Sequence, residues 1–204
     1  MDKCFNDLKE FTKNYLQYGE YDTEDIKDQL EKLDKCESLV QILYVIGKGD
    51  TLNYLNVIHK EKYLPEQDIA DTLFNRWVML EKFHNMGMSK TKILKLMKMA
   101  DKSNGYGMPK QVPKVITVYR GVDIDDYKGL SWSRNEAVAE WFAKRHQKVG
   151  QCGYIFSGEL AREDIIAQFS GRKESEVVCD WKKVQNIQCK KVLKTGDEIY
   201  KFRK

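Results

Sequence analysis

The period of the hydrophobic pattern changes once along this chain, between Asp101 and Pro113, and that change restricts the fold more than any other feature. Before it, apolar residues recur three and four apart: Phe5, Leu8, Phe11 and Tyr15, then Ile26, Leu30 and Leu33, then Ile69, Leu73, Trp77 and Leu80. This is the spacing of helices with one buried face, and it predicts about five or six of them. After it, β-branched and aromatic residues gather in short runs: KVITVYR from Lys114, GYIFSGEL from Gly153, SEVVCD from Ser175, VQNIQCKKV from Val184 and EIYKF from Glu198. Such runs read as strands. The stretch DKSNGYGMPKQVP between the two patterns is rich in Gly, Pro, Ser and Asn, as a connection is. The fold class is therefore α+β, with a helical region over residues 1–105 and a β-rich region over residues 106–204.

Local signals refine this outline. Thr23 followed by Glu24 and Asp25 suits a helix start, Pro65 suits a first helical position, and Ser89 suits an N-cap. One helix interrupts the β-rich half: Asn135 as N-cap, Glu136 in the first turn, and Val138, Trp141 and Phe142 on an apolar face. The N-terminus MDKCFNDLKE is too charged for a signal peptide, and the longest apolar run, Leu39 to Ile46, is too short for a bilayer. With five scattered cysteines and no C-x-x-C pair, neither disulfides nor a zinc site are expected, and a reducing cytoplasm fits. The 35 basic and 31 acidic residues leave only +4, so nucleic acid is not indicated as a partner. His59, His84 and His146 have no metal-ligand spacing, and no metal is expected.

Three short features of the β-rich half bear chemistry: Tyr119-Arg120-Gly121 ending a strand, Ser131-Trp132-Ser133 beginning another, and Glu174-Ser175-Glu176 entering a third. Each alone has an ordinary explanation, as a solvated arginine, hydroxyls at a strand edge, or surface charge. Together and in this order they resemble the Arg, Ser-Thr-Ser, Glu-x-Glu signature of the arginine-serine-glutamate class of ADP-ribosyltransferases, in particular its small bacterial and bacteriophage members. The resemblance covers residues 114–187. Trp132 departs from it, standing where the class has threonine, and the helical half lies outside it.

The resemblance implies a fold of two small antiparallel β-sheets with an NAD cleft between them, the helical region packing against or capping it. It also implies an activity, the cleavage of NAD with transfer of ADP-ribose to a macromolecular acceptor, a protein side chain. Glu176 would stabilise the cationic ribose that develops as the nicotinamide bond breaks, as carboxylates do in glycoside hydrolysis. Arg120 would grip the pyrophosphate through its planar guanidinium. The main chain at Gly121 would hold the nicotinamide amide, the glycine allowing close approach. Ser131 would orient Glu176, and Ser133 would support the strand edge. Glu174, two residues from Glu176, is expected on the same face of the strand, where it would activate the acceptor, with arginine the acceptor implied. Phe169 and Arg172, in FSGRK, fall where the class places its substrate-recognition turn, although Phe169 equally suits a core. Two other readings stay open: an NAD glycohydrolase using the same residues, and a catalytically idle domain that binds a partner.

Overall fold

The structure is a computed structural model; it describes residues 3–18, 23–80, 87–103, 112–169 and 174–195. The chain divides into two compact units, Met1–Asp101 and Lys102–Lys204. The predicted strand EIYKF and the site candidate Arg172 lie outside the described residues.

The first unit contains α1 (Lys3–Gln17), α2 (Thr23–Asp34), α3 (Leu39–Ile46), α4 (Thr51–Lys60), α5 (Glu66–Arg76) and α6 (Lys90–Met99), with a 3-10 turn at Trp77–Met79. Their apolar faces meet in a core that includes Leu8, Leu33, Leu43, Leu55, Leu73 and Trp77. Ser38 and Ser89 cap α3 and α6 by accepting from Gln41 N–H and Lys92 N–H, satisfying donors that the first helical turn leaves unpaired. Pro65 stands one position earlier than the sequence suggests, as the residue before α5, with the extended ψ of 143° that its ring permits. Hydrogen bonds cross the bundle: Thr12 and Tyr54 share one of 2.6 Å, and Tyr15 donates to Asp50 at 2.8 Å.

The second unit contains β1 (Val115–Val122), β2 (Ser131–Ser133), α7 (Glu136–Lys144), β3 (Cys152–Ala161), β4 (Ile165–Phe169), β5 (Glu176–Cys179) and β6 (Gln185–Leu193). All described strands join one antiparallel sheet in the order β4-β5-β2-β1-β3-β6. The two separate sheets expected from the resemblance are thus one continuous ladder, but its continuity is thin at one place. β1 and β3 pair along eight residues, whereas β1 and β2 share a single pair, Tyr119 with Ser133. Three strands lie on each side of that pair.

Helix α7 starts where Asn135 accepts from Ala137 N–H at 3.0 Å. It lies directly on one sheet face. A Cβ at Gly121 would come 1.6 Å from the Ala139 carbonyl oxygen, and one at Gly153 would come 1.9 Å from that of Ala143. The glycines let helix backbone touch strand backbone, with Ala139, Ala143, Ile155, Val192 and Tyr119 closing the contact. The opposite face carries the main core of this unit: Val118, Trp132, Phe156, Leu160, Val177 and Cys179, among others. Among the described residues, no helix is long and apolar enough to cross a membrane.

Candidate active site

The candidate residues collect around the single β1–β2 pair. Strand pairing between β1 and β2 ends at Tyr119 and Ser133, so the Ser131 carbonyl has no β1 partner in the ladder. Arg120 supplies one: its Nη1 donates to the Ser131 carbonyl at 2.7 Å. The guanidinium lies against Gly129, where a Cβ would come 1.9 Å from Arg120 Cζ. Burial pushes the Arg120 pKa down, and the negative charges of Asp126 and Glu176 pull it back; an arginine so placed keeps its charge. Its Nε is buried without a hydrogen-bond partner, a costly state for an N–H group unless something accepts from it.

Glu176 opens β5 opposite Ser133, and Ser131 sits two residues along the same face of β2. From there Ser131 donates its hydroxyl to Glu176 Oε1 at 2.5 Å, the short distance of a hydroxyl held by a carboxylate. The carboxylate is held by a strand neighbour whose backbone carbonyl accepts from the Arg120 guanidinium. A carboxylate fixed in this way meets a developing positive charge without first having to reorient.

Ser133 is buried and binds backbone on both sides. Its hydroxyl donates to the Glu174 carbonyl at 2.6 Å and accepts from Asn135 N–H at 2.9 Å. Arg134 N–H adds a bond to the Ser175 carbonyl at 3.0 Å. The turn before Glu176 is thereby tied to the start of α7.

That turn corrects the reading of Glu174. The expectation that both glutamates share a strand face needs two residues of regular strand, but β5 begins at Glu176, and Ser175 has a left-handed φ of 46°. Strand alternation does not reach Glu174, whose direction is set by the turn. At Gly121 the space left by the missing side chain is filled by α7, so helix packing by itself requires a glycine there. Phe169, at the end of β4 and paired with Glu176, is 3% exposed. It packs inside the unit and offers no surface for a partner, so the recognition role does not fit it.

Sequence reasoning did not find β4, Gly129 or the loop residues Asp126 and Tyr127. Gly129 carried a weak signal, an isolated glycine just before the Ser-x-Ser strand. Asp126 acts only through the fold that brings its loop to Arg120. Among the described residues, no group of three or more His, Cys, Asp or Glu side chains could hold a metal ion. Comparison with protein-family models, characterised proteins and solved structures finds no match to this chain.

Proposed function

We propose that this chain is a mono-ADP-ribosyltransferase that cleaves NAD, releases nicotinamide and places ADP-ribose on a protein side chain, with arginine the implied acceptor. The observation that carries the reading is the Ser131–Glu176 hydrogen bond, at a serine whose carbonyl accepts from Arg120. A side-chain bond joins β2 to β5 there, and the Arg120 guanidinium from β1 bonds the backbone of the same serine.

In this reading Glu176 faces the ribose and stabilises the cation that forms as the bond to nicotinamide breaks. Ser131 keeps that carboxylate in place. Arg120, with an unpaired buried Nε, offers a donor to an anion such as the pyrophosphate of NAD. The single Tyr119–Ser133 pair supports the two-sheet reading, because so short a ladder is the one weak joint in the described sheet. Glu174, held by its backbone next to the site, remains the group proposed to activate the acceptor.

Incubation with adenine-labelled NAD and cell lysate tests this. Nicotinamide release together with label fixed to protein supports transfer, and mass spectrometry then identifies the modified residue. Release with no label on any macromolecule assigns the site to NAD hydrolysis. If NAD stays intact with and without lysate, the catalytic reading fails and partner binding takes its place.

A further inference from the structure

The net charge of +4 is unevenly divided. Met1–Asp101 has 15 basic and 18 acidic residues, whereas Lys102–Lys204 has 20 basic and 13 acidic, a net charge of +7. The sheet unit is therefore markedly basic, which whole-chain composition conceals.

On the sheet face turned away from α7, this charge is interleaved with aromatic rings. Trp181 follows β5 and is partly exposed; its ring has the ammonium groups of Lys128 and Lys182 each 5.8 Å from its centroid. Tyr127 meets Trp181 edge-on at 5.7 Å and packs on Phe156 at 5.5 Å. Two residues along β3 on the same face, Tyr154 has Lys191 at 5.6 Å from its ring, and Lys191 is its register partner on β6. Trp181, Tyr127 and Tyr154 are all partly exposed, and the three lysines are exposed. Trp181 and Tyr127 form one partly exposed ring pair and Tyr154 a separate ring further along the same face, with the buried Phe156 between them and lysines beside Trp181 and Tyr154.

We propose that this face binds single-stranded nucleic acid. Unpaired bases stack on aromatic faces without regard to sequence, while lysines beside the rings meet the phosphates. A duplex buries its base faces and gains nothing from such rings. An acidic peptide would meet the lysines but leave the rings without a purpose. These rings lie outside the Ser131–Glu176 pair, and the proposal goes beyond the transferase reading and does not depend on it.

The test is fluorescence anisotropy of a labelled 16-nucleotide single strand titrated with the full chain at several salt concentrations. The proposal expects saturable binding with a log–log salt slope of roughly −2, the value for three phosphates neutralised on a single strand. Trp181→Ala should weaken binding about tenfold, and Trp181→Phe, which keeps a ring, should weaken it less. Lys128→Gln with Lys182→Gln should flatten the slope by about 1.4. Nicotinamide release measured on the same proteins separates failure of this proposal from failure of the transferase reading. No saturable binding, or equal binding by wild type, Trp181→Ala and the double lysine variant, would overturn it. Displacement of the strand as readily by polyglutamate, by duplex or by free NAD would also overturn it, assigning the face to an acidic polymer, a duplex or one nucleotide.

Discussion

Ser131 and Glu176, on neighbouring strands and 45 positions apart in sequence, are joined hydroxyl to carboxylate at 2.5 Å. A hydrogen bond to a charged group contributes about 1.5–3 kcal/mol. If its role is to hold Glu176 in place for a cationic ribose, Ser131→Ala should fold normally and lower nicotinamide release about 10- to 100-fold. The expected loss is in kcat, with KM for NAD little changed; steady-state kinetics on the purified variant measure both.

Arg120 occupies its place because Gly129 has no side chain. A methyl group there would overlap the guanidinium carbon, so Gly129→Ala must expel the arginine from its slot or shift the loop. The expected outcome is a loss of about 1–3 kcal/mol in stability, seen as a lower midpoint in denaturant, and a weaker affinity for NAD. A variant as stable and as active as wild type would show that Arg120 can leave the slot at no cost.

Gly121 and Gly153 touch the backbone of α7, which cannot move aside as a flexible side chain can. Either alanine substitution should therefore destabilise the sheet unit by more than the ordinary range for single changes, above about 4 kcal/mol. Thermal unfolding followed by circular dichroism reads this directly. Gly121→Ala should lose structure before it loses a specific catalytic step, in keeping with helix packing as the reason for that glycine.

Cys179 is fully buried, and burial pushes its pKa up to about 12. The thiol stays protonated in the folded chain, whereas an unfolded thiol ionises near pH 8.5. Its contribution to stability is thus complete below that pH and declines as pH rises towards 12. A thiol reagent at pH 8 should modify the exposed Cys4, Cys152 and Cys189 quickly, and Cys36 and Cys179 only after denaturant is added. Five fast thiols in the native state would contradict the described core.

Much of this architecture was legible in the sequence because two periodicities announce it. The apolar spacing from Phe5 to Leu80 gave the helices, and the runs around Ile116, Ile155 and Val177 gave strands. Ile165–Phe169 escaped because it is short and adjoins a 3-10 turn at Arg162–Asp164, so no clear alternation builds up. Arg120, Ser131 and Glu176 could be picked out by residue type and order. The left-handed turn at Ser175 could not, since serine rarely adopts that conformation and only the contacts of Ser133 and Arg134 reveal what holds it. The slot at Gly129 and the lysine-flanked rings depend on which strands become neighbours, and local pattern does not carry that information.

The most direct test of the central claim compares nicotinamide release from NAD by the wild-type chain and by Glu176→Gln, a change that keeps the side-chain shape and removes its charge. The account predicts measurable release by wild type and a loss of at least about 100-fold in the variant, with an unchanged unfolding midpoint. Equal release by the two proteins, or none by wild type with or without an added lysate, would contradict it.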